Sequence, residues 1–203
     1  YIDVPIDCSA ILSLSLCSTK IIIITKDYKS IVGELKNDKS YKFEEHTINI
    51  EGGKIHFPIS CFKCSNYDLY MVSEVENGIK TKLVKNGNLL NIGKFNPVAI
   101  FGGSSNCAAI DLNGAILYIP GSYNDQSYEL IGPKYLPKDE KAVDIACLSD
   151  FLYVLSSSGH IYMSKNANSL KINFKQVEQF KRINVIQISG ISNHILVLTK
   201  EGK

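Results

Sequence analysis

Apolar residues recur along the chain in short alternating or continuous runs, and no stretch carries a helical stripe bounded by caps. Leu12, Leu14 and Leu16 alternate with Ser13 and Ser15, and Ile186 and Ile188 alternate with Gln187 and Ser189. That period of two predicts strands with one solvated face. Residues 21–24, 108–110, 152–155 and 195–198 are nearly continuous apolar runs. Such runs predict strands covered on both faces. Turn signals follow at Asn113-Gly114, Ser158-Gly159 and Glu201-Gly202, where glycine supplies the positive φ of a tight hairpin. Tyr28 holds the place of that glycine in the first such unit, which predicts a turn of different build there.

These runs repeat. Residues 98–120, 142–164 and 185–203 each read as an apolar strand, a small-residue turn, a second apolar strand and a glycine hairpin. Aligning Ile100, Ile145 and Ile188 gives steps of 45 and 43 residues. A fourth copy lies near the N-terminus, where Thr25, Lys26, Asp27 and Lys29 match Thr199, Lys200, Glu201 and Lys203. A degraded fifth shows in Ile59-Ser60-Cys61 followed by Leu69-Tyr70-Met71-Val72. The repeat cores fall at 11–33, 55–83, 98–120, 142–164 and 185–203, and the segments between them are expected to hold the remaining strands and loops. Residues 121–141 are the most loop-like of these. Each sheet is too small to bury its own apolar faces, so radial stacking is expected. The predicted fold class is all-β, with β-propeller blades of short antiparallel sheets, about four to five repeat units, in a single domain over residues 1–203.

Composition narrows the function classes. A hydrophobic fraction of 45% with 21% charged residues is ordinary globular usage. The net charge is only +2, and Arg182 is the lone arginine. A nucleic-acid interface would favour arginine forks, so that partner class is disfavoured. The most apolar stretch, residues 10–24, is interrupted by four hydroxyl residues and Lys20 before it ends, too polar for a spanning helix. A basic signal-peptide start and Asn-X-Ser/Thr acceptors are both missing, which together point to a cytoplasmic or nuclear protein without a membrane partner. Of the six cysteines, Cys61, Cys107 and Cys147 occupy small or apolar strand slots of the repeat, and reduced thiols are expected. The chain starts without methionine and stops inside a hairpin, so a fragment of a longer protein is expected.

The phrase Ile-Ser-Gly-x-x-x-His-x-x-x-Leu-Thr-x-x-Gly, standing at residues 188–202, resembles the repeat of the regulator-of-chromosome-condensation family. The resemblance extends over most of the chain, as four clear copies and one poor one. It implies seven-bladed propellers of four-stranded blades, roughly 300 residues or more, of which about 4.5 periods are present. It also implies two functional traditions. One is guanine nucleotide exchange on a Ran-type small GTPase; the other is docking in ubiquitin-ligase, kinase or BTB-type assemblies. The repeat histidine is present only at His194, while Lys20, Asn106 and Phe151 fill its other slots. No exchange-wedge motif matches residue by residue.

Candidate chemistry is sparse. Cys61-Phe62-Lys63-Cys64 is a single CxxC with no second pair, and His46 and His56 lack ligand spacing, so a packing role is expected. The Gly102-Gly103-Ser104-Ser105-Asn106 run lacks the Lys-Ser/Thr and helix of a phosphate loop and falls on the recurrent first turn. His194 is expected to be a hydrogen-bonded turn residue, and His160 a solvated one. No catalytic residue, cofactor or metal is expected. Tyr123, Asp125, Tyr128, Lys134 and Tyr135 cluster in the longest loop and are the expected partner-binding residues. The expected function is a non-enzymatic protein–protein interaction platform, with guanine nucleotide exchange as the alternative.

Overall fold

The structure, a computed structural model, describes residues 6–17, 20–46, 56–63, 68–74, 80–103, 106–120, 128–131, 135–137, 139–149, 151–165, 172–191 and 193–203. The chain divides into two compact units, Tyr1–Asn96 and Pro97–Lys203. No α-helix occurs among the described residues; Cys8–Ala10 and Glu178–Phe180 form single 3-10 turns.

The first unit holds two four-stranded antiparallel meanders. One contains β1 (Ile11–Cys17), β2 (Lys20–Thr25), β3 (Ser30–Leu35) and β4 (Tyr41–His46) in sequential order. The other contains β5 (His56–Lys63), β6 (Asp68–Glu74), β7 (Lys80–Lys85) and β8 (Asn88–Leu89). The second unit repeats the plan with β9 (Pro97–Gly102), β10 (Cys107–Asp111), β11 (Ile116–Ile119) and β12 (Glu129–Ile131). There follow β13 (Ala142–Cys147), β14 (Phe151–Ser156), β15 (Ile161–Lys165) and β16 (Lys175–Gln176), then the hairpin β17 (Val185–Ile191) and β18 (His194–Thr199).

The continuous apolar runs are the second strands; those at 21–24, 108–110 and 152–155 are covered on both faces, whereas the run at 195–198 is not, because Leu196 and Leu198 of β18 are exposed. In the first unit Ile22 and Ile24 of β2 pack with Cys61, Tyr70, Val72 and Val84 of the neighbouring sheet. In the second unit Ala108, Ile110 and Tyr118 pack with Ile145, Leu152 and Val154. The opposite face of that middle sheet, with Ala146, Leu155 and Ile161, meets Val185 and Ile188 of the last hairpin. Each buried isoleucine, leucine or valine among them contributes about 1.5–3 kcal/mol. Sheets this short are held by that stacking more than by their own ladders.

Every first strand carries a β-bulge at the same rung. The pairing skips Leu12 in β1, Ile59 in β5, Val98 in β9, Val143 in β13 and Ile186 in β17. A bulge adds one residue and sharpens the local twist. Here it places an exposed apolar side chain at Leu12, Val98, Val143 and Ile186. The residue after the bulge ties neighbouring first strands together. Ser13 Oγ lies 3.3 Å from Ser60 Oγ in the first unit, and in the second Asp144 Oδ2 accepts from Ile188 N–H at 2.9 Å.

The first hairpin corrects one sequence expectation. Tyr28 was expected to impose a different turn, yet it stands at φ 63°, beside Gly114, Gly159 and Gly202 at 77–79°. Its N–H closes on the Thr25 carbonyl as those of Gly114, Gly159 and Gly202 close on Asp111, Ser156 and Thr199. What the four turns share is the residue that opens them. Lys29, Ala115, His160 and Lys203 donate their N–H groups to side-chain oxygens of Thr25, Asp111, Ser156 and Thr199. That second anchor holds the left-handed residue in place whatever its side chain. The strain remains, about 1 kcal/mol for a non-glycine residue. Tyr28→Gly is therefore expected to raise stability by up to about 1 kcal/mol in urea titration. A clear loss would show that the tyrosine ring contributes more than its backbone costs.

Candidate interaction surfaces

Of the five loop residues singled out in the sequence, two are placed. Tyr128 immediately precedes β12 and Tyr135 follows it, and both are exposed. Tyr123, Asp125 and Lys134 lie outside the described residues. Leu130, which sequence reading passed over, is 54% exposed in the middle of β12. Alternation puts Tyr128 and Leu130 on one face of this outer strand, whereas Ile131 turns into the core opposite Ile116. Glu129 lies opposite Tyr118, and partial burial raises its carboxyl pKa. The surface offered is thus two tyrosines and a leucine around one outer strand, seated on a packed sheet.

The remaining candidates are structural. Cys61 is buried in the apolar cluster of the first unit, and burial with the nearby Asp68 charge pushes its thiol up to about 12. A buried thiol held protonated is a poor nucleophile for disulfide exchange. Cys64 lies outside the described residues, and among those described no group of three or more His, Cys, Asp or Glu is placed to hold a metal. In the glycine run, Gly103 N–H donates to the Asn106 carbonyl at 2.8 Å, closing the inter-strand turn; Ser104 and Ser105 are outside the described residues. Asn106 fills a slot of the repeat histidine and is buried. Its Nδ2 donates to the Leu148 carbonyl of the next sheet at 3.0 Å. His194, at the start of β18, is exposed.

His160 does more than face solvent. Its Nδ1 lies 3.3 Å from Glu140 Oε1, which also accepts from the Tyr162 hydroxyl at 2.9 Å. Burial opposes ionisation of Glu140, but hydrogen bonds from Ser156, Tyr162 and His160 outweigh it and hold the carboxyl below its ordinary value. Burial and the same carboxylate push Tyr162 up to about 12. Glu140 is therefore ionised and Tyr162 protonated at neutral pH. The arrangement braces the β14–β15 hairpin against the segment leading into β13.

In the first unit a groove of about 220 Å³ is lined by Lys20, Lys36 and Lys42 together with Glu34 and Glu44. Glu45, His46 and Asp68 line it as well, so it carries both signs of charge; Glu34 lies 3.5 Å from Lys20 and 2.9 Å from Lys36, and Lys42 pairs with Glu44. No helix among the described residues is long and apolar enough to cross a membrane.

The architecture is that of a propeller like the one in RCC1. No protein-family model matches the sequence, and no curated protein does either. Among solved structures, human WBSCR16 matches with a TM-score of 0.68 at 13% identity, over 99% of this chain and 61% of that one. The structure of Kap60 bound to yeast RCC1 (Prp20) matches with a TM-score of 0.62 at 7% identity, over 95% of this chain and 54% of that one. YCF48 bound to D1 peptide gives 0.58 at 9% identity, over 93% and 61%. The chain spans between 54% and 61% of the length of these structures. At such identities the likeness defines the fold, an RCC1-like β-propeller of four-stranded antiparallel blades.

Proposed function

We propose that this chain is a non-enzymatic docking platform for a protein partner, acting in the cytoplasm or nucleus. The observation that carries the reading is the exposed trio Tyr128, Leu130 and Tyr135 on and beside β12. Tyrosines presented by a packed sheet supply contact area at little entropic cost, and such residues dominate interface energetics. Two of the similar structures are likewise complexes, of RCC1 with Kap60 and of YCF48 with a D1 peptide.

The second reading is a guanine nucleotide exchange factor for a Ran-type small GTPase. It is supported by the repeat resemblance and by likeness to Prp20p, a protein whose binding to Gsp1p and histones has been characterised. An exchange factor binds the nucleotide-free GTPase most tightly, through reciprocal coupling. Affinity capture with the full-length protein from its own cell lysate, with and without EDTA, separates the two. A small GTPase retained only under EDTA puts exchange first, whereas partners indifferent to EDTA support docking. The double variant Tyr128→Ala/Tyr135→Ala is expected to weaken retention of the captured partner by at least about tenfold in a titrated pull-down. Unchanged retention would remove β12 from the interface.

A further inference from the structure

The first strand of the chain carries its apolar side chains on the outside. In β1 the serines face the neighbouring sheet: Ser15 is buried, and Ser13 reaches Ser60 of β5. The leucines take the other face, where Leu14 and Leu16 are 54% and 62% exposed. Their cross-strand partners Ile23 and Ile21 are buried, so the uncovered apolar surface is the β1 side of that face. At the last hairpin the uncovered side is the opposite one. Ile195 and Val197 of β18 pack on the cluster of Ala146 and Leu155 in the sheet before it. Leu196 and Leu198 alternate away from that contact and are 74% and 39% exposed.

The repeat shows what covers each of these positions elsewhere in the chain. Leu14 stands two residues beyond its bulge, as Ile145 and Ile188 do beyond theirs. Both of those isoleucines are buried against the sheet before their own, Ile145 with Ala108 and Ile110, Ile188 with Ala146 and Leu155. Leu198 pairs with the residue directly after its bulge, as Leu155 and Ile110 do. Those two are buried against the sheet after their own. One sheet-on-sheet contact is thus made twice within Pro97–Lys203, an Ile110 or Leu155 on one side and an Ile145 or Ile188 on the other. Leu14 with Leu16 is one half of that contact left uncovered, and Leu198 with Leu196 is the other half. The cross-strand partners of these four leucines are Ile23, Ile21, Gln187 and Ser189, none of them charged, which suits the centre of an interface.

We propose that the chain self-associates head to tail. The β17–β18 hairpin of one copy stacks its Leu196 and Leu198 face on the Leu14 and Leu16 face of a second copy, reproducing between copies the contact each makes within itself. The two surfaces are unlike, so the contact is heterologous and continues from copy to copy, as a ring where the rotation closes and as a filament where it does not. The inference goes beyond the docking-platform reading, since it uses neither Tyr128, Leu130 nor Tyr135.

The test is analytical ultracentrifugation of the intact chain between about 1 and about 100 µM. The mass is expected to rise above 22.5 kDa with concentration. The variants Leu14→Lys/Leu16→Lys and Leu196→Lys/Leu198→Lys, each checked for the parent's urea midpoint, are each expected to stay monomeric, because each has lost one of the two faces. Mixed in equal amounts they are expected to form a dimer and nothing larger, since each supplies the face the other lacks. Should a lysine pair disturb folding, the milder Leu196→Ser/Leu198→Ser is expected to weaken association at least about tenfold at an unchanged midpoint. A parent that stays monomeric throughout, a mixture that yields no dimer, or a serine variant that associates as tightly as the parent would each overturn the proposal. Assembly by either folded lysine variant alone would overturn it in favour of like-on-like pairing.

Discussion

Gly103→Ala is expected to destabilise the Pro97–Lys203 unit by about 3 kcal/mol or more, read as a lower urea midpoint at unchanged slope. A Cβ on Gly103 would stand 2.0 Å from the Cys147 carbonyl oxygen and 3.1 Å from Asn106 Oδ1. The first neighbour is backbone and cannot swing away. That backbone is itself pinned on both sides of the contact. Cys147 is paired with Leu152, and the adjacent Leu148 carbonyl accepts the Asn106 amide. Making room would require moving two sheets apart at a place where Ala108, Cys147 and Leu152 are fully buried. Interiors this dense transmit such strain instead of absorbing it. A change under about 0.5 kcal/mol would mean that the turn after β9 does not lie against the end of β13.

Asp144→Ala should come next, at about 2–4 kcal/mol. The Asp144 carboxylate accepts from its neighbour's N–H, Ile145, and from Ile188 on the adjoining first strand, both at 2.9 Å. Alanine leaves two backbone donors without that acceptor in a partly buried place, and desolvation sets the cost. Acidity supplies an independent check. Burial raises the Asp144 pKa, and the Ile188 and Ile145 hydrogen bonds only partly offset it. A carboxyl that holds its proton more tightly folded than unfolded makes stability fall as pH rises through the window above the unfolded value of about 3.9. The parent should therefore gain on the alanine variant as pH drops toward about 4. A gap that narrows instead would show that the hydrogen bonds, not burial, set this pKa.

The repeat carried much of the fold into the sequence because each unit buries the same kind of strand. The run at residues 152–155 is continuous because β14 is packed on both faces, and the alternation about Gln187 marks a strand with one open side. Even the degraded copy was readable, since Ile59-Ser60-Cys61 and residues 69–72 fall inside β5 and β6. The error at Tyr28 came from attending to the glycine when the opening hydroxyl or carboxylate is the constant feature. The bulges also left no trace legible in advance. Val98, Val143 and Ile186 continue an apolar pattern, and only the pairing register shows that each is an added residue. The surface was less legible still. Whether Tyr128 or Leu130 faces water depends on which side of a three-residue strand meets the core, and polarity alone does not encode that.

The strand order has a kinetic consequence. In each sheet every described strand pairs with its immediate sequence neighbour, β1 with β2, β2 with β3 and β3 with β4, with no crossover among the described strands. All-β chains are ordinarily slow to fold because distant segments must meet before any contact rewards the closure. Here a hairpin can nucleate and recruit the next strand by zipping, at the microsecond pace of hairpin formation. The slow event is then displaced from making a sheet to docking finished sheets on one another. Residues such as Asn106 and Asp144, which form their bonds only on docking, belong to the late side of the barrier and govern how long the folded state lasts more than how fast it is reached.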